Sequence, residues 1–400
     1  MRKMLVVASL AWATAVLADS GAWRPATEAI NALGCELLAG TSGNALLSPY
    51  SIQTALGMTY AGAAGETRTE MARVLHFGAD EEALHRSFAS LQKAFAEADD
   101  GDAVILGVAN RLFGQKDYAF RPEFLALVED VYGAPLQLAD FVGQAQKERS
   151  VIKAWVEEQT RDRIRDLLPE NTLNALTRLV LVNAVYMKAR WEQAFPAHLT
   201  KPAPFRTAAD TTVDVPTLNR TGVIGYRKDD GFTAVSLPYL GGNLQFLVLL
   251  PDETVTVAAV EAKLTADRLA GLAMLPRREV NLYLPKFRME PPLLKLSDAL
   301  KGLGMRTAFD EPAGSADFDR MAPRRPDDYL CISEVFHKTF MELDEKGTEA
   351  AAATAVVMQR ATAMRPTEPV VVRVDRPFLF AVQHRASGAC LFLGRLVDPR

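Results

Sequence analysis

Apolar positions recur along this chain with two different periods, and the switches between them predict its elements. From residue 24 to 39 the spacing is helical. Ser48-Pro49 predicts a second helix, with the serine as cap and the proline in the first turn, and Gly62 to Gly65 closes it. Residues 151 to 168 read helical again, with Ile152, Trp155, Val156 and Thr160 near one stripe. LVLVNAVYM (179 to 187), NLQFLVLLP (243 to 251) and VNLYLPKF (280 to 287) are short, apolar and β-rich, which predicts strands. RPFLFAVQHRASGACLFLGRL reads as two apolar strands joined by a turn at Ser387-Gly388. Helices first, then a mixture, then mostly sheet predicts an α+β protein. No repeat or low-complexity linker interrupts residues 24 to 398, so one domain is expected.

The first residues stand apart. Arg2 and Lys3 precede an apolar run from Met4 to Ala18, and Val16-Leu17-Ala18 fits small-residue cleavage ahead of Asp19. Residues 1–18 are therefore read as a signal peptide and the protein as secreted, extracellular or periplasmic. No later run reaches the ~20 apolar residues of a membrane span, so no membrane partner is expected. Removing Arg2 and Lys3 takes the net charge from -4 to about -6. Arg324-Arg325 and the Arg161 to Arg165 stretch are interleaved with acids or prolines, so nucleic acid is not expected as a partner. Cys35, Cys331 and Cys390 lie far apart without metal-ligand spacing and read as three small buried hydrophobes.

Catalytic chemistry is sparse. His76, His85, His198, His337 and His384 form neither HExxH nor a His-x-x-His pair, so zinc hydrolysis lacks ligands. Ser150 to Lys153 spells Ser-x-x-Lys, but no Lys-Thr-Gly partner follows. Gly302 and Gly304 make part of a GxGxxG after a helical pattern, the wrong context for a phosphate loop. No enzyme and no cofactor are expected.

The tract DEKGTEAAAATAVVMQRATAMRP, residues 344 to 366, poses a sharper question. Alanine favours helix, so an exposed helical turn is the simplest reading. Against it, Gly347 precedes the run, Thr354, Val356 and Val357 favour extended backbone, and so short a helix is marginal in water. Side chains small on both faces suit a segment exposed in one state and squeezed between strands in another.

At this point the chain resembles a serpin over residues 25 to 398. NALLSPYSIQTALGMTYAGAAGET (44 to 67) is similar to the family's second-helix segment. VIKAWVEEQTRDRI (151 to 164) is similar to its Ile-Asn-x-Trp-Val helix, with Lys153 in place of asparagine. LVLVNAVYMKARWEQAF (179 to 195) resembles a central strand and its exit, with Ala189 replacing a glycine, and residues 374 to 399 resemble the C-terminal signature. The resemblance implies the serpin fold, with three β-sheets (A, B, C), about eight or nine helices and an exposed reactive-centre loop near residues 345–370. It implies a monomeric suicide-substrate inhibitor, whose loop is cleaved by a serine protease and then inserts into sheet A before the acyl-enzyme is hydrolysed. A cysteine protease is a further target class, and a serpin-fold binding or chaperone protein without inhibitory activity is the alternative.

The resemblance also assigns sites. The hinge is Gly347, Thr348, Glu349, Ala350, Ala351, Ala352, Ala353 and Thr354, preceded by Lys346 where glutamate is common. Thr348, Ala350, Ala352, Thr354, Val356 and Met358 would face the core once inserted, and Glu349 the solvent. The family's spacing from Gly347 puts the scissile bond at Ala361–Thr362, suited to an elastase-like protease; Arg360–Ala361, a trypsin-like choice, stays open. Ser48, Ser51, Asn183 and His337 fall at the shutter beneath the centre of sheet A. Trp191, Lys286 and Glu345 fall at the breach, where insertion begins, with Lys286 and Glu345 expected to pair.

Overall fold

The computed structural model describes residues 5–348 and 368–400, without the side chains of residues 5–20, Val108, Ala109 and Asn183. Nine α-helices lie among the described residues. The first runs from Leu5 to Ala39, starting well before the expected residue 24 and holding Pro25 within it. Pro49–Gly62 is buried at every position. A helix buried on all sides belongs in the interior of a large domain, and its polar Gln53 and Thr54 donate there to the carbonyls of Leu75 and Tyr50. Ser48 accepts a hydrogen bond from the Ser51 N–H, and Pro49 occupies the first turn, where its missing N–H is not needed.

The helix expected at 151 to 168 instead spans Phe141–Gln159. Asp140 caps it by accepting from the Gly143 N–H, well before the readable stripe begins at Ile152. Positive φ at Arg161 and Asp162 turns the chain away directly after it ends.

Strands form three sheets. Sheets B and C share the long strand Thr212–Asp229, so hydrogen bonding links them into one nine-stranded system. The C-terminal hairpin Phe378–His384 and Cys390–Leu396 is buried throughout, and its turn uses Gly388 at φ 76°. Sheet A is the eight-stranded one. Its central strand, Leu179–Arg190, pairs antiparallel with Val104–Gln115 along its whole length. On its other side the pairing is divided. Low down, Phe336–Thr339 runs parallel to it, with Lys338 opposite Ala184 and Thr339 opposite Val185. At the top, the two-residue strand Gly347–Thr348 runs antiparallel to it, between it and Met341–Leu343.

Both faces of sheet A are covered. The Phe141–Gln159 helix and the connector after it lie over one face, where Ile152, Val156 and Leu168 pack with Val180, Val182 and Ala184. The opposite face joins the main core, where Val185, Met187 and Ala189 pack. Successive side chains of the central strand therefore alternate between two buried environments rather than between core and water.

Candidate functional site

The site is the seam of sheet A, built from three levels. At the top, Leu343 pairs with Thr348, and Asp344 to Gly347 form the turn between them. The Asp344 carboxylate accepts from the N–H groups of Lys346 (2.8 Å) and Gly347 (3.1 Å), the self-bonding that makes aspartate a turn residue. Gly347 is required here: a β-carbon built on it would stand 1.9 Å from the Ala189 carbonyl oxygen. Thr348 is already seated as a strand residue, buried, with its hydroxyl 2.6 Å from the Tyr239 hydroxyl. Tyr239 in turn stacks on Trp191 at 4.7 Å between ring centroids.

Trp191, Lys286 and Glu345 meet around this turn. The Trp191 indole N–H donates to the Asp344 carbonyl at 3.0 Å, and its backbone N–H donates to that of Lys346 at 2.8 Å. Lys286 Nζ lies 3.0 Å from Glu345 Oε2. Partial burial is the largest single influence on the Glu345 carboxyl and works to raise it, but the hydrogen bond and charge of Lys286, together with a backbone hydrogen bond and the nearby Thr200 hydroxyl, outweigh it and hold the group below the ordinary glutamate range.

At the middle level Ser48, Ser51 and His337 come together. The Ser48 backbone N–H donates to His337 Nε2 at 3.0 Å, and the Ser48 hydroxyl donates to the Leu391 carbonyl at 2.6 Å. The neutral ring thus carries its proton on Nδ1, which has no hydrogen-bond partner among the described residues. Burial pushes the His337 pKa down to about 3. Asn183 occupies the central strand opposite Asn110, with its side chain outside the described residues.

The remaining sequence assignments, Glu349 to Thr354 and Arg360 to Thr362, lie outside the described residues. Tyr239, Asp344 and the Leu391 carbonyl belong to the site and carried no sequence signal. The competing motifs dissolve. Ser150 donates to the Gln146 carbonyl, while Lys153 pairs with Asp166. Gly304 is the left-handed cap ending the helix Ser297–Leu303. One expectation is corrected: Cys331 is exposed and Cys35 half-buried, leaving Cys390 as the buried cysteine, because Cys331 sits in irregular chain before sheet A rather than in an element.

Comparison with known proteins identifies the family. The family model described as serpin (serine protease inhibitor) matches residues 31–399. A serpin-like protein of Thermococcus kodakarensis is 39% identical, covering 95% of this chain and 87% of its own. The leukocyte elastase inhibitor of Bos taurus is 38% identical over 90% of this chain and 94% of its own. Among solved structures, the thermophilic serpin tengpin in its native state superposes with a TM-score of 0.80 at 28% identity, covering 93% of this chain and 94% of its own. The cleaved serpin 42Da superposes with a TM-score of 0.81 at 30% identity, covering 95% of this chain and all (100%) of its own. The chain belongs to the serpin (serine protease inhibitor) family and is a protease inhibitor, not an enzyme.

Proposed function

We propose that the chain is a suicide-substrate inhibitor of serine-type endopeptidases, and that the seam of sheet A is the slot its cleaved loop enters. One observation supports this reading above the others. Continuing the Gly347–Thr348 register down the sheet brings Ala352 between Val185 and Thr339, and Ala353 between Ala184 and Lys338. These are the two pairs that now close the seam. The strands can part and admit a new one without either slipping in register.

The same register accounts for the four alanines. Even-numbered residues would face the core and odd-numbered ones the helix Phe141–Gln159 and its connector, so at Ala351 to Ala353 both faces would be covered and small side chains suit them. Glu349 would lie above the covered zone, opposite Lys188 and Glu342, both half-buried. Thr354 would stand between Asn183 and His337, where its hydroxyl offers an acceptor to the Nδ1–H that has no partner among the described residues.

The central strand is 12 residues long, so residues 347–358 would fill it from Arg190 to Leu179. At about 1 kcal/mol net per new ladder bond, insertion yields on the order of 10 kcal/mol. The uncleaved fold is then held by a kinetic barrier. In the reaction, the protease serine attacks the Ala361 carbonyl and expels the Thr362 amine, which takes up the proton. Three residues, Gln359 to Ala361, then tether the acyl-enzyme. They span ~10 Å, which draws the enzyme hard against the foot of the sheet. Ala361 fits an elastase-like pocket, a choice favoured by relatives named leukocyte elastase inhibitors. We also propose secretion through cleavage before Asp19, checked by N-terminal sequencing of exported protein.

Incubation with an elastase-like and a trypsin-like protease, followed by denaturing electrophoresis and mass determination of the released peptide, tests the reading. A stable covalent complex and a peptide beginning at Thr362 are expected. Complete turnover without complex would refute inhibition, and a peptide beginning at Ala361 would move the bond.

A further inference from the structure

Arg220, on the strand Thr212–Asp229, is only 7% exposed, yet no carboxylate among the described residues pairs with it. Its Nη1 donates to the Gln193 carbonyl, and its guanidinium carbon lies 5.3 Å from the centre of the Phe195 ring. The Nε–H is buried without a partner, and Nη2 makes no hydrogen bond among the described residues. Burial pushes the Arg220 pKa down to about 10; Glu192 favours the charge only from a distance, and Arg277 opposes it. Arg277 is exposed and is held by its own bond from Nη2 to the Val223 carbonyl, at 2.9 Å. The neighbouring residue, Gly222, leaves the space beside Arg220 bare. A β-carbon on it would stand 3.5 Å from Arg220 Nη2 and 3.3 Å from Gln193 Oε1. Two guanidinium groups and a carboxamide thus gather at a place where the strand has no side chain, and such donors suit an oxyanion.

We propose that Arg220, Arg277 and Gln193 form a site for a small oxyanion, a phosphate or a carboxylate, and that its occupancy braces the segment Trp191 to Phe195. The chain offers little to fill the site itself. Glu345 is engaged by Lys286, and no Asp or Glu occurs from residue 350 to 367. A bound oxyanion accepts from Arg220 Nη2 and faces both guanidinium groups, which turns their mutual repulsion into attraction. The effect reaches the hinge through the backbone. Trp191 N–H donates to the Lys346 carbonyl and Phe195 N–H to the Glu345 carbonyl, each at 2.8 Å. Fixing this segment therefore fixes the turn that closes the top of the seam. The site stands whether or not the chain traps proteases.

Inorganic phosphate and acetate are titrated separately into the intact protein, with chloride at matched ionic strength as the reference, and melting is followed by intrinsic fluorescence. General salt stabilisation does not depend on two arginines, so the variants separate it from binding. A saturable rise in melting temperature is expected with at least one anion, and the anion that gives it tells phosphate from carboxylate recognition. Arg277→Ala, at an exposed position, should keep the anion-free melting temperature and bind about tenfold more weakly. Arg220→Lys, which keeps the charge but loses the planar fork, should weaken binding as well. Saturated protein should also form less polymer on mild heating. A rise no larger than that given by chloride, or one that both variants retain, overturns the site. A rise that appears only in Glu349→Gln assigns the arginines to the chain's own hinge carboxylate and overturns it too. Binding that leaves polymer formation unchanged overturns the bracing.

Discussion

Gly347 and Ala189 approach so closely that a β-carbon on the first would stand 1.9 Å from the carbonyl oxygen of the second. Replacing Gly347 with alanine forces these backbones apart, at a cost of roughly 1–3 kcal/mol, at the place where insertion starts. The Gly347→Ala variant should therefore be cleaved by its target more often than it traps it. Titrating a fixed amount of protease to zero activity measures this, and the variant should need severalfold more inhibitor than the parent.

Lys286 holds Glu345 at the root of the hinge, with side-chain exposures of 37% and 18%. The pair contributes about 1 kcal/mol or less at such exposure. Glu345→Lys places two cations together and loosens the turn that closes the top of the seam. Size-exclusion chromatography after mild heating should show more polymer than the parent forms; equal monomer content would refute a latching role.

In the proposed register Thr354 would enter between Asn183 and His337. An arginine there would bury an unpaired cation on insertion, costing several kcal/mol. Thr354→Arg should keep the parent's melting temperature before cleavage and yield cleaved product instead of covalent complex on denaturing gels.

His337 and His384 give the fold a defined acid sensitivity. Burial depresses their pKa values to about 3 and about 4, against 6.5 for a free imidazole. Above pH 6.5 neither state binds the proton, and the stability is intact. Between pH 6.5 and the folded values only the unfolded chain is protonated, so each histidine costs about 1.4 kcal/mol per pH unit as pH falls. Denaturant midpoints should fall steadily from pH 7 to 4, and His337→Gln, which keeps an acceptor for the Ser48 N–H, should flatten that slope.

Much of this was legible along the chain because it is written locally. The Ser48-Pro49 cap, the apolar strands and the Ser387-Gly388 turn each depend on neighbours in sequence. The Phe141–Gln159 helix was misplaced because its first turn carries Gly143 and a non-helical Gln144 (φ -141°), which break the periodicity, and its end lacks a glycine. The links that build the site span the chain: Tyr239 and Thr348 are 109 residues apart, Lys286 and Glu345 are 59 apart, and neither leaves a periodic trace. The alanine run was readable as small on both faces. That both faces are covered emerges only once the helix is seen lying over sheet A.

The central claim is that the uncleaved chain sits above a more stable arrangement reached by filling the seam. Differential scanning calorimetry before and after a single cut in the loop tests it most directly. A gain on the order of 10 kcal/mol in a chain of 400 residues corresponds to a rise of roughly 10 °C or more in melting temperature. A cleaved protein that melts at or below the temperature of the intact one would contradict the account.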